Sequence, residues 1–353
     1  MKYKVLTLKE KREWSELLNR LPIEQQDVYY TPEYYSLYQY NGDGDAQCFV
    51  FEQDGNIAMY PYLLNCVNNM DYVLNDTYYD VQSAYGYGGI IANSKNRNFI
   101  RSFWDVFNDY CRKNNIIAEF LRLHPIISNP IYYTYYHQIF FNRKTVMLDL
   151  TLSEDILFYN FQHSTKKQIR RAGNRYGLSL KVYDCAPANL SDYFKIYTST
   201  MQRTEAIDYL YFSEEYFKNF MNLNNALLFV ANHDEDPVSV IFGMYYGLYF
   251  HGHLGGNLHQ SMKMSPSSYL YWEMIKHAKS LGCKFLHLGG GNSNSEDDPL
   301  LKFKTNFSKS TLDFYIAKRI HNQRIYEEVV KQWEHRNPEK IISSQNVLLK
   351  YHY

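Results

Sequence analysis

One succession of element signals occurs twice in this chain, and it limits the fold more than any other feature. In the first pass, Trp14, Leu17 and Leu18 fall at helical spacing within residues 9–20, and a short second helix is expected over 32–38. Apolar segments at 46–53 and 57–64 then flank Asp54-Gly55-Asn56, a strong hairpin signal because Asp-Gly tolerates the left-handed turn. An amphipathic helix over 98–114 and an apolar strand over 116–123 follow, stopped by His124-Pro125.

The order then repeats. A strand is expected at 145–150, one or two helices over 153–176, and further helices over 190–204 and 213–222. Strands at 227–232 and 238–245 flank the turn His233–Pro237, with a third strand at 248–254. A well-formed helix over 267–281 and a strand over 285–289 complete the second pass, ahead of a strand near 312–317 and a closing helix over 322–335. This is an α+β pattern of two tandem domains, each a mixed central sheet flanked by helices. The expected boundaries are 1–144, 145–321, and a C-terminal helix and tail over 322–353.

Composition narrows the function. Lys plus Arg and Asp plus Glu are both 37, so no net field favours a general nucleic-acid coat, although a local basic patch remains open. The five cysteines form no CxxC pair, which points to buried thiols in a reducing compartment. The first ten residues lack an apolar signal core and no apolar run reaches the ~18–20 residues of a membrane span, so a soluble, cytoplasmic protein is expected. The 36 tyrosines carry no functional weight alone.

Four segments carry chemistry. Lys166, Lys167, Arg170, Arg171 and Arg175 fall within ten residues, with no acid between Ile156 and Leu180. Residues four apart share a helix face, so Lys166 and Arg170, with Lys167 beside them, present unpaired like charges that favour a phosphate. Gly289-Gly290-Gly291 ends an apolar strand, where glycines serve either a tight turn or a cradle of N–H groups for an anion; no helix is expected to open there. Ser265-Pro266-Ser267-Ser268 opens a helix, and capping is the simpler reading, with phosphate binding by the free N–H groups the other. His251 and His253 point to one face of a strand, but no third ligand is spaced for a metal, and none is expected.

Taken in order, these residues resemble the Fem family of peptidoglycan-bridge aminoacyltransferases, notably its compact FemX type, and related GNAT-like acyltransferases of surface-glycan clusters. The resemblance runs through residues 146–150 and the basic helix, Glu214-Glu215-Tyr216-Phe217, Glu273-Met274-Ile275, Leu288-Gly289-Gly290, Asp297-Asp298 and Phe303-Lys304. In the first half it touches Tyr85-Gly86-Tyr87-Gly88-Gly89 and Leu121-Arg122-Leu123-His124-Pro125. It implies two GNAT-like domains and transfer of an acyl group to an amine of a cell-envelope precursor, a peptidoglycan peptide or an amino-sugar glycan.

Several roles follow from the resemblance. Lys304 would stabilise charge on the reacting carbonyl, with Phe303 fixing its backbone. Lys166, Lys167, Arg170, Arg171, Ser267 and Ser268 would hold the donor. Arg203, Tyr209, Tyr211, His251, His253, Gly290 and Gly291 would line the acceptor side. No tightly bound cofactor is implied; the co-substrate is aminoacyl-tRNA or, alternatively, an acyl-CoA such as acetyl-CoA. A non-catalytic binding module of an envelope-synthesis complex is the further alternative, and a lipid-linked acceptor implies peripheral membrane contact. Two departures matter. Residues 33–39 contain no lysine where the family places a phosphate-binding one, and no helical-hairpin arm appears near 209–217.

Overall fold

The computed structural model describes residues 2–133 and 136–353. The chain forms two compact units, Met1–Asn142 with Phe314–Tyr353, and Arg143–Asp313.

The first unit begins with strand β1 (Lys2–Thr7), helices α1 (Lys11–Leu18) and α2 (Pro32–Tyr40), and strands β2 (Asp45–Gln53), β3 (Asn56–Cys66), β4 (Tyr79–Gln82) and β5 (Ile91–Ala92). Helix α3 (Arg97–Lys113) and strand β6 (Ile116–Arg122) follow. The β2–β3 hairpin forms at Asp54-Gly55, both with positive φ, as the turn chemistry demands. Helix α3 buries Phe99, Ile100, Phe103, Trp104, Phe107 and Cys111 on one face, the three-and-four spacing read from sequence. Each large side chain so buried contributes about 1.5–3 kcal/mol.

Strand β7 (Gln138–Asp149) leads into the second unit. There follow α4 (Glu154–Asn160), α5 (His163–Asn174), β8 (Ser179–Tyr183), α6 (Leu190–Arg203), α7 (Glu214–Met221) and the meander β9 (Ala226–His233), β10 (Asp236–Tyr246) and β11 (Tyr249–Asn257). Helix α8 (Pro266–Ser280), β12 (Phe285–Gly290), α9 (Pro299–Thr305), β13 (Thr311–Ile320) and α10 (Gln323–Arg336) complete the chain.

Strand pairing reveals the repeat. In the first unit the order is β1-β2-β3-β4-β6-β13, antiparallel throughout except for the parallel pair β4–β6. In the second it is β8-β9-β10-β11-β12-β7, antiparallel except for the parallel pair β11–β12. In both, a helix (α3 or α8) connects the fourth strand to its parallel neighbour, as a parallel crossover requires. The sixth strand of each unit is supplied out of order, since the first unit takes its own from residues after the second. Residues 322–353, read from sequence as a closing helix and tail, accordingly pack in the first unit: Ile325, Val329, Trp333, Leu349 and Tyr351 join a core with Ile117 and Ala118.

Two first-unit segments singled out by sequence meet in space. Gly88 and Leu123 form a parallel bridge, and the Tyr87 and His124 rings lie 5.7 Å apart. Helix α2 covers the lysine-free stretch, with Tyr34, Tyr35, Leu37 and Tyr38 buried and the Tyr34 hydroxyl donating to the Tyr85 carbonyl at 2.6 Å.

Candidate active site

The second unit places its helices on two sides of its sheet. Successive residues of β11 show this: a Cβ on Gly252 would meet Met274 of α8, whereas the His253 ring stacks on Phe220 of α7. Gly256 admits α6 closely, since a Cβ there would sit 2.8 Å from the Ile196 carbonyl. The β11–β12 pair holds only from Tyr249–His251 to Phe285–His287, and beyond those residues the two strands part.

β12 ends in the glycines. Gly289 has φ +71°, a left-handed conformation that suits glycine, beside a register shift in the β12–β7 pairing. Against the sequence expectation, a helix does open nearby: α9 begins at Pro299, capped by Asp298. The Asp298 Oδ1 accepts from the amides of Leu300 and Leu301 at 2.9 and 3.0 Å. Its Oδ2 accepts from the amides of Asn292 and Ser293, both at 2.9 Å, and from the Ser293 hydroxyl at 3.0 Å. Of the two readings left open for the loop, turn or anion cradle, the cradle is already filled at Asn292 and Ser293 by the chain's own carboxylate. Burial works against the charge on Asp298, but these donors outweigh it and hold the carboxyl below the usual range.

The seven residues of α9 return Lys304 to the glycines. Its Nζ donates to the Gly290 carbonyl at 2.7 Å, and the residue is 8 % exposed. The Arg143 Nη1 donates to the next carbonyl, Gly291, at 2.6 Å. Burial lowers the Lys304 pKa to about 7; the Asp298 charge opposes that fall and the Arg143 charge adds to it. An ammonium has three donors. One is used, and the other two meet no partner among the described residues. Phe303 packs edge-on to Tyr271 of α8 at 5.1 Å and to Phe307 at 5.4 Å, which fixes the helix turn bearing Lys304.

The basic helix lies beside this turn: the Gln162 amide, which opens α5, donates to the Asn306 carbonyl at the end of α9 at 2.9 Å. Helix α5 buries Thr165, Ile169 and Ala172 and keeps its cations at the surface. Lys166 donates to the Tyr159 carbonyl at 2.7 Å and lies over that ring, and Arg170 lies over Phe158. Arg171 and Arg175 both lie over Tyr176. Lys167 stands exposed apart from them. Among the described residues none of the five makes an ion pair, so the shared positive charge is held by π-faces and solvent.

Serine capping at α8 does not occur. Ser265 takes a left-handed conformation (φ 56°, ψ 47°) and makes no side-chain cap bond, while the Ser268 hydroxyl donates to Gln168 of α5 at 2.9 Å. The first amides of this fifteen-residue helix, Ser267 and Ser268 among them, thus open beside the basic helix. Its counterpart in the first unit is closed, because Asn96 accepts from the amides of Asn98 and Phe99 at the start of α3.

The remaining expected residues gather on the α6–α7 side. The Tyr216 hydroxyl and His253 Nε2 lie 2.9 Å apart, Phe212 stacks on Tyr216 at 4.2 Å, and Tyr209 packs on Phe212 at 5.7 Å. Burial, with the neighbouring His251, lowers the His253 pKa to about 3, so the ring is neutral at physiological pH. His251 itself is buried, with the His287 ring 5.7 Å away. Arg203 reaches Asn257 Oδ1 at 3.2 Å, and Tyr211 is exposed. Residues 204–213 connect α6 to α7 through one short 3-10 turn, with no helical arm. The structure thus joins Lys304, Phe303, Gly290 and Gly291 with the basic helix and the start of α8, and sets Arg203, Tyr209 and His253 on the other face of the sheet. Asp298 and Arg143 are site residues that sequence reasoning missed. The pair Asp298-Pro299, an N-cap followed by proline at the first helical position, was the available signal for Asp298.

Comparison with known proteins gives this geometry a class. Residues 160–304 match the model of an acetyltransferase (GNAT) domain. The second unit therefore contains a segment similar to a GNAT acetyltransferase domain. No curated protein matches the chain by sequence. Among solved structures, FemX is similar with a TM-score of 0.70 at 13 % identity, covering 93 % of this chain and 99 % of FemX. L-PGS from Bacillus licheniformis matches with a TM-score of 0.53 at 15 % identity, over 81 % of this chain and 87 % of that one. A C-terminal DUF2156 domain assigned to a lysylphosphatidylglycerol synthetase of Agrobacterium fabrum matches at 0.53 and 12 % identity, over 94 % and 96 %. The chain therefore has the FemX-type fold, two GNAT-like units in tandem, and the match over residues 160–304 makes it an acyltransferase.

Proposed function

We propose that the chain transfers an aminoacyl group from aminoacyl-tRNA to an amine of a cell-envelope precursor, a peptidoglycan peptide or an amino-sugar glycan. The observation that carries the reading is the contiguity of a buried lysine with an uncompensated basic helix and an open helix N-terminus. Amides at such a terminus, reinforced by the helix dipole, receive phosphate oxygens. Ser267, Ser268, Lys167 and the cations of α5 would meet the donor's phosphates. A helix of twelve residues extends about 18 Å, more basic surface than one pyrophosphate occupies, and this favours a polynucleotide donor. The open α8 terminus alone would equally suit an acyl-CoA, which is the second reading. An acceptor in the envelope accords with the similarity to FemX and to L-PGS. No helix among the described residues is long and apolar enough to cross a membrane, so a lipid-linked acceptor would be met from the surface.

In the reaction the acceptor amine forms a bond to the ester carbonyl carbon, the carbonyl π electrons move to oxygen, and a tetrahedral oxyanion develops. Collapse expels the ribose oxygen of the donor, which takes up the proton lost by the amine. The free N–H donors of Lys304 meet the oxyanion, a role typically worth about 10²–10³ in rate for a positioned donor. Arg203, Tyr209, Tyr211 and His253 receive the acceptor from the opposite face. The test is purified chain titrated with charged tRNA and with acetyl-CoA, then assayed for transfer with and without Lys304→Ala. Binding of CoA without tRNA overturns the donor, and near-normal turnover by Lys304→Ala overturns the role of the lysine. Binding of a precursor with no transfer from any donor supports a non-catalytic module.

A further inference from the structure

We propose that Asp298 is the positioning residue of Lys304, fixing where its ammonium sits by bridging the glycine loop to the first turn of α9. The inference rests on the reading of Lys304 as the oxyanion-stabilising group, and it adds what holds that group in register.

The geometry is specific. Both carboxylate oxygens are committed, Oδ1 to two amides of α9 and Oδ2 to two amides and a hydroxyl of the loop, so one side chain ties the two segments that meet at the Gly290–Lys304 contact. The fit leaves no slack, since a Cβ on Gly291 would lie 2.3 Å from Asp298 Oδ1. Asp298 is 5 % exposed, so its charge acts through protein rather than water.

The charged groups that face Lys304 are Asp298 on its own loop and Arg143 on β7, and they act in opposite senses. From neighbouring elements, Tyr271 of α8 packs on Phe303 and Phe161 ahead of α5 packs on Phe307, both neutral rings, while the cations of α5 lie at the surface. Nearby Lys302 and Asp297 pair with each other at the surface. Asp298 thus sets the position of Lys304 and favours its charged form, while Arg143 braces Gly291 and favours the neutral form.

Two variants separate these effects from a general loss of folding. Asp298→Asn keeps the size, removes the charge and sets an NH2 against donors that one carboxylate oxygen had accepted, and Arg143→Met removes the opposing charge while leaving the Asp298 bridge intact. In the full-length chain, the reactivity of Lys304 toward acetic anhydride is followed against pH by peptide mass spectrometry, a readout independent of turnover. The midpoint is expected to move to lower pH in Asp298→Asn and to higher pH in Arg143→Met. Transfer by Asp298→Asn at pH 7 is expected to fall roughly tenfold to a hundredfold, in kcat rather than KM, as for a catalytic group displaced by about an ångström. Its alkaline limb should move to lower pH, because a cation is required and the cation is lost sooner.

A Lys304 midpoint unchanged in Asp298→Asn overturns the proposal, even if activity falls, because that pattern is purely structural. Should Asp298→Asn fail to fold, an unmoved midpoint in Arg143→Met overturns the opposing-charge arrangement. Failure of the underlying reading is distinct: Lys304→Ala then retains turnover while the labelling midpoints still shift.

Discussion

If Lys304 is present for chemistry rather than for stability, removing it should stabilise the second unit at neutral and acid pH. Its pKa falls from 10.5 in the unfolded chain to about 7 in the folded one. A folded pKa below the unfolded value means the unfolded state binds more protons between those limits, so wild-type stability rises with pH across the window from about 7 to 10.5. Below it the folded state bears the full penalty, about 5 kcal/mol at ~1.4 kcal/mol per pH unit. Lys304→Met removes that penalty and leaves the Gly290 carbonyl without its donor, a loss of about 1 kcal/mol. The variant should therefore be about 3–4 kcal/mol more stable at pH 6 and about 1 kcal/mol less stable above pH 10.5, with the sign reversing between. Trp272 is the single tryptophan of the second unit, and its ring packs on Phe158 and Phe161, so its fluorescence in urea titrations reports that unit. A Lys304→Met chain less stable than wild type at pH 6, by a margin that does not change with pH, refutes the reasoning. The lysine would then be an ordinary part of the fold.

Two further outcomes follow. Replacing Lys167 and Arg171 together by glutamine should weaken binding of charged tRNA and make the slope of log affinity against log salt less steep by about two, roughly one for each phosphate no longer neutralised, as measured by filter binding at several salt concentrations. Gly291→Ala should cost about 1–3 kcal/mol in urea unfolding and lower turnover, because its Cβ would sit 2.3 Å from the Asp298 carboxylate that joins loop to helix; unchanged turnover would show that the loop is free to shift.

The readable elements were those with strong periodicity: α3 with its buried stripe, and the β2–β3 hairpin with its Asp-Gly turn. Edge strands were harder. β1 and β8 bury little of their length, and each closes one side of its sheet, so neither shows a strong alternating apolar face. Helix α9 spans seven residues, too few for a period to emerge, and no helix start is expected there until Asp298 is seen to be a cap. Serine capping at α8 was a sound local inference that a tertiary contact overrode, since the Ser268 hydroxyl finds Gln168 a hundred residues earlier. Lys304 itself came from family resemblance. Its burial, its lowered pKa and its partners Arg143 and Asp298 are products of packing that no spacing rule contains.

The repeat of strand order raises the question of why one unit carries the chemistry. In both units a helix links the fourth strand to its parallel neighbour, and that helix N-terminus is where an anion would bind. Asn96 closes the first-unit terminus with two hydrogen bonds, whereas Ser265 leaves the second open beside α5. A cap contributes about 1 kcal/mol, so leaving α8 uncapped costs stability that a phosphate, on the proposed reading, would restore. The first unit makes the opposite choice, with Asn96 satisfying at all times the amides that a ligand would satisfy only when present. Its sixth strand, β13, also comes from residues beyond the second unit, so the first unit cannot be completed by residues 1–142 alone. The two sheets are alike in topology, and the units differ in a single capping residue and in the cations beside the helix that lacks one.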